Sequence, residues 1–165
     1  MSIEERNRLA WHETLEVHEL VAFQSIGLMK LKMSLKKITD PHLKSIYRAV
    51  ISDLELNLRE LIQFYPSAPV GAHREPNPAD LTGFYAGDLL GLSKALVRNL
   101  AIGITETATP VLRETLTTHL LRAIKGHEMT YNYMYQKGLY PSYDLPELLK
   151  NDLNNAKRAL EMRSE

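Results

Sequence analysis

The sequence predicts an all-α fold, a bundle of four long helices with a short fifth, and three observations predict it. Asp40-Pro41, Asn77-Pro78 and Thr109-Pro110 each put a side-chain acceptor at an N-cap and a proline at the first helical position. There the missing N–H costs nothing and the fixed φ suits a first turn. Between these marks, apolar residues recur at spacings of three and four, the period of a helix with one buried face. The segments so bounded are long, at about 8–37, 41–65, 79–104 and 110–136, with boundary errors of a few residues expected. Asp144, Pro146 and Glu147 open the shorter fifth, to about 162.

Helix 1 carries two stripes, Trp11, Leu15, Ala22, Ile26, Met29 and Met33 on one side and Val17, Leu20, Leu28, Leu31 and Leu35 on another. Two stripes predict packing on two sides, as a central element or against another subunit. Helix 2 has one stripe, Leu43, Tyr47, Val50, Leu54, Leu58, Leu61 and Tyr65. Helix 3 offers Leu81, Tyr85, Leu92 and Leu96, and helix 4 offers Leu116, Leu120, Ala123, Ile124, Tyr131 and Met134. The fifth segment aligns Leu145, Leu148, Leu149, Leu153, Ala156 and Leu160, too regular for a disordered tail, so it must dock on its own bundle or on a neighbour. With the second stripe of helix 1, this predicts a homodimer.

Composition narrows the function classes. With 165 residues, 44% hydrophobic and a net charge of zero, the chain reads as one domain, 1–165. A core bundle spans 8–136 and a docking segment spans 137–165. It has no global charge to draw it to nucleic acid or an anionic membrane. The longest uncharged run, 61–73, contains Pro66, Pro69 and Gly71 and falls short of the ~20 apolar residues of a membrane span. Met1 to Arg8 is polar and does not read as a signal peptide. The absence of cysteine removes disulfides and thiolate chemistry and suits synthesis in a reducing cytoplasm.

Polar residues interrupt the stripes. His18 and Glu19 flank that of helix 1, Asn57 borders that of helix 2, Asp88 lies by that of helix 3 and His127 falls inside that of helix 4. Each needs a partner if buried, so the five are expected to form buried hydrogen-bonded networks that fix helix register. The competing reading is a metal site, for which His12, Glu16, His18, Glu19 and His127 are the candidates. His12, Glu16 and Glu19 share one side of helix 1. Bundles that do iron or oxygen chemistry present Glu-x-x-His pairs on inner faces, and this chain contains none. No catalytic residue, cofactor or resident metal is therefore assigned.

The segments Leu9 to Gln24, Asn57 to Pro66 and His127 to Asp144 together resemble the spore coat protein F family of endospore-forming Bacillus-type bacteria. The resemblance implies a ferritin-like four-helix bundle and a structural, non-enzymatic protein of the spore coat, with other coat proteins as partners. Ferritin-like topology would require Pro66 to Pro78 to cross the length of the bundle between helices 2 and 3. A 25-residue helix is about 37 Å long and thirteen residues reach about 40 Å at polyproline rise, so the crossover must run nearly straight. In that topology Asp88 and His127 would lie at one depth, and His18, Glu19 and Asn57 at another. Finally, Tyr131, Tyr133, Tyr135, Tyr140 and Tyr143 crowd one stretch. They are expected to clamp the fifth segment, ring inward and hydroxyl to water. A sharper reading is oxidative coupling between subunits, which fails if Tyr140 and Tyr143 are both deeply buried.

Overall fold

Helical periodicity is realised throughout: a computed structural model describes residues 9–65 and 80–164, and among these every regular element is helical. The elements are α1 (Trp11–Leu35), α2 (Pro41–Leu61) with a 3-10 turn at Ile62–Phe64, α3 (Thr82–Glu106), α4 (Pro110–Gln136) and α5 (Leu145–Glu161). They form two compact units, one of α1, α2 and α5, the other the α3–α4 hairpin, with the chain passing from the second back to the first at Ser142–Tyr143. Five helices of this length are compatible with a ferritin-like arrangement. The expected crossover and the Asn77-Pro78 cap lie outside the described residues.

Two of the expected caps form as sequence chemistry dictates. Asp40 accepts from Leu43 N–H at 2.6 Å, and Asp144 accepts from Glu147 N–H at 3.1 Å. Thr109 makes no side-chain cap bond, and Pro110 alone marks the start of α4. Helix α1 begins instead with Glu13, whose carboxylate reaches back to Ala10 N–H at 2.7 Å, half of a capping box. At the end of α4, Gly138 takes φ +68°, and Leu139 N–H bonds Met134 C=O at 2.8 Å, an arrangement that favours glycine.

The buried face of α1 runs between the two predicted stripes: His18, Val21, Ser25, Leu28, Met29, Lys32 and Leu35. Trp11, Leu15 and Leu20, taken from the sequence as stripe residues, are exposed. Helix α2 contributes Ile51 and Leu58, and α5 contributes Leu148, Asp152, Ala156 and Ala159. In the hairpin, Ala86, Leu90 and Met134 form a small core flanked by Tyr131, Leu139 and Tyr140. The stripe expected inside α3 is largely open, with Tyr85, Leu92 and Leu96 exposed and Phe84, Ala86, Leu90 and Ser93 buried in its place.

Candidate functional site

The buried face of α1 is a heptad with polar and apolar lines. Val21, Leu28 and Leu35 recur every seven residues as one line, and His18, Ser25 and Lys32 recur every seven as the other. A seven-residue repeat keeps one seam of a helix against a partner, and polar groups in that seam specify register. Here the partner is α5, whose Asp152 and Ala159 stand at the same spacing.

At one end of the seam His18 Nδ1 lies 2.7 Å from Asp152 Oδ2, and both side chains are almost wholly buried. A carboxylate acceptor requires the tautomer with hydrogen on Nδ1. Tyr65, just beyond α2, donates its hydroxyl to the same oxygen at 3.0 Å. Three chain segments thus meet at one carboxyl group. Burial pushes the Asp152 carboxyl above its ordinary range, bonds from His18 and Tyr65 offset part of this, and the charge of Glu19 adds to it. The Tyr65 phenol is raised too, first by burial and then by the neighbouring Asp152 charge.

At the other end Lys32, 2% exposed, uses its ammonium group fully. It meets Glu55 Oε1 of α2 at 2.6 Å, Ala159 C=O at 2.9 Å and Leu160 C=O at 3.1 Å. Ammonium has three donors, and three acceptors surround it. The two carbonyls belong to the last turn of α5, which has no intrahelical donors for them and carries the negative end of the helix dipole. Lys32 therefore caps the C-terminus of another helix. The small Ala156 and Ala159 allow the α5 backbone to come this near. Midway along the seam, Ser25 Oγ is buried with no hydrogen-bond partner among the described residues.

Of the residues singled out from sequence, the structure brings His18 and Glu19 to this site. Asn57 is exposed, against the expectation of a buried side chain, because Leu58 marks the buried centre of α2 and the position before it is turned about 100° away. Asp88 and His127 are half-buried on the hairpin, where the His127 ring stacks on Tyr131 at 6.5 Å. His12 and Glu16 are exposed. Among the described residues no three His, Asp or Glu side chains converge as a possible metal-ligand set. Sequence reasoning missed Lys32, Glu55 and Asp152 and read Tyr65 as an apolar stripe residue. The available signal was a charge set inside an apolar run: Lys32 after Leu28 and Met29, Asp152 between Leu148 and Ala156.

The tyrosines divide. Tyr131 and Tyr140 meet edge to face at 5.8 Å and pack on the hairpin core, while Tyr133 and Tyr135 are exposed and Tyr143 is 86% exposed. Tyr140 thus clamps its own hairpin.

Comparison with known proteins adds a family. The profile described as Coat F domain matches residues 83–143, the α3–α4 hairpin and the turn after it. Of the three segments that carry the resemblance, only His127 to Asp144 falls there. The chain is 39% identical over 77 residues to "Spore coat protein F-like protein YraD" of Bacillus subtilis (strain 168), covering 47% of this chain and 78% of that one. It is 38% identical over 55 residues to "Uncharacterized protein YraE" of the same organism, covering 33% of this chain and 80% of that one. No solved structure matches.

Proposed function

Because the chain belongs to the spore coat protein F-like family, we propose that it is a non-enzymatic structural protein of the bacterial endospore coat. It acts by packing and self-association, as a homodimer that contacts other coat proteins. The observation that carries the self-association is the stripe Tyr85, Leu89, Leu92 and Leu96 along α3, each residue between 44% and 58% exposed. An apolar row at helical spacing facing water marks an interaction surface. The buried polar groups support the structural reading, since His18, Lys32 and Asp152 are each engaged in holding one helix to another. No described helix is long and apolar enough to cross a membrane.

Light scattering on the purified chain at micromolar concentration tests the association. The expected mass is about twice 18.8 kDa. Leu89→Lys with Leu92→Lys should return it to that of one chain. A single-chain mass for the unaltered protein overturns the homodimer. Fractionation of spores carrying a tagged copy tests location: recovery in the core lysate with none in the coat extract overturns the coat assignment.

A further inference from the structure

We propose that the outward face of α1 is a second self-association surface, on which the α1 of another copy docks antiparallel about a two-fold axis at Phe23. This deepens the self-association reading and rests on it, but names a surface separate from the α3 stripe.

The face lies opposite the seam that α5 fills, since Phe23 precedes Ser25 by two positions, a turn of about 200°. Phe23 is 70% and Leu20 47% exposed there, and Glu16 and Lys30 are exposed beside them. Glu16, Phe23 and Lys30 recur every seven residues and so form one line along the helix, acidic at one end, aromatic in the middle and basic at the other. The rest of the helix keeps that asymmetry, with Glu13 and Glu19 in its first half and Lys36 and Lys37 following Lys30. Turned end for end about Phe23, the line is its own complement. Glu16 then meets Lys30 of the second copy at either end, and the two Phe23 rings meet at the centre. On the flank, Leu20 comes level with Gly27 of the second copy, where a Cβ would find nothing within 4 Å and the leucine has room.

The charges choose the occupant. An acidic helix or an anionic membrane surface suits Lys30 but sets like charge against Glu16, and a basic segment does the reverse. A second α1 docked parallel would put Glu16 against Glu16 and Lys30 against Lys30. The antiparallel α1 of a second copy satisfies both ends at once, and every copy carries it. Lys30 also has an interaction within its own chain, and an ammonium with three donors holds that and a carboxylate of the second copy together. The contact is small, Leu20 and Phe23 with an exposed ion pair at either end, so it forms at higher concentration than the α3 contact. A two-fold contact closes on itself after two copies. A chain with two distinct contacts of this kind extends from dimer to dimer, which is what a growing layer requires.

Sedimentation at submillimolar concentration tests this in full-length chains carrying Leu89→Lys and Leu92→Lys, which block the α3 stripe. These chains should still reach a two-chain mass and lose it as salt rises. Adding Glu16→Lys makes the line basic at both ends and adding Lys30→Glu makes it acidic at both, so each variant alone should fall to a single-chain mass. An equimolar mixture of the two should recover the two-chain mass, a rescue that damage to either fold would not produce. A single-chain mass for the α3-blocked chain or for the mixture overturns the α1 contact, as does a charge-reversed variant that still pairs with itself; the α3 dimer then stands or falls by its own test. A single-chain mass for the unaltered protein at micromolar concentration, with pairing in the submillimolar mixture, overturns the α3 dimer and supports the α1 contact. If circular dichroism shows either charge reversal unfolded, Glu16→Gln and Lys30→Gln replace them. Each should then weaken association and flatten its salt dependence, and unchanged association overturns the proposal.

Discussion

The two units bury polar groups in opposite ways. In the α3–α4 hairpin, buried Ser93 and Thr130 turn their hydroxyls back on their own helices, to Leu89 C=O at 2.8 Å and Gly126 C=O at 2.9 Å. In the α1–α2–α5 unit, buried His18, Lys32 and Asp152 reach across to other helices. A hydroxyl satisfied within its own turn says nothing about which neighbour is present, whereas a charge satisfied by another helix is stable only with that helix in register. The hairpin is therefore held by local turn chemistry and a small apolar core. The other unit is specified by pairs far apart in sequence.

The largest test of that contrast is Asp152→Ala. It takes the shared acceptor from the His18 and Tyr65 donors, and each buried donor left so costs about 1–3 kcal/mol. Amide exchange should show α5 and the facing part of α1 losing protection while the α3–α4 core keeps its own. Asp152→Asn, which retains an acceptor oxygen and removes the buried charge, should cost distinctly less. Equal loss of protection in the hairpin would mean the two units are one cooperative block.

The reciprocal change is Leu90→Ala in the hairpin. Leu90 is buried with Ala86 and Met134, so truncation should cost about 2–4 kcal/mol by lost burial and cavity formation. Protection should fall in α3 and α4 and persist in α5. Between these sits Lys32→Met, which keeps the buried stem and surrenders three hydrogen bonds. Glu55 is partly exposed and can rehydrate, so roughly 1–3 kcal/mol is expected, with fraying concentrated in the last turn of α5. If the fraying spreads evenly along α5, Lys32 is not acting as its cap.

The same contrast explains what the sequence could show. Helix number and type followed from local signals, the three-and-four spacing and the Asp40-Pro41 and Thr109-Pro110 pairs at the starts of α2 and α4, whereas α3 starts at Thr82 after Leu81. The buried face of α1 did not follow, because that helix is apolar on several sides and periodicity alone cannot choose among them. What chooses is the partner: Asp152 and the α5 terminus select the line of His18, Ser25 and Lys32, more than a hundred residues away in sequence. His18 and Glu19 stood out as polar groups beside a stripe, whereas Lys32 passed as a solvated lysine because a long stem reaching a helix end cannot be seen without the helix. In α3 the opposite error arises. Tyr85, Leu92 and Leu96 looked like core because periodicity reports an apolar face without saying what covers it.

Alkaline pH offers a smaller effect with a definite sign. The Tyr65 phenol is raised in the folded state, so it stays protonated where the unfolded phenol ionises. Its contribution is present below the ordinary tyrosine value near pH 10 and is lost as pH rises, at about 1.4 kcal/mol per unit for one proton. Denaturation of α1–α2–α5 measured from pH 8 to 11 should steepen above 10, and Tyr65→Phe should remove one proton's worth of that slope. The hairpin residues should show no dependence on this substitution.

The finest version of the comparison lies in two helix starts. Asp144 opens α5 with a side-chain bond to Glu147 N–H, whereas Thr109 opens α4 with none. Asp144→Ala should therefore cost about 1 kcal/mol, the usual loss for an N-cap acceptor, and Thr109→Ala close to nothing, since only the Thr109 carbonyl, bonded to Arg113 N–H at 3.0 Å, serves the first turn. Both substitutions keep Pro at the start of the helix, so the difference isolates the side-chain bond from proline's fixed φ. A matching loss at Thr109 would mean its hydroxyl caps α4 in solution, making the two starts equivalent and confining the contrast between the units to their buried charges.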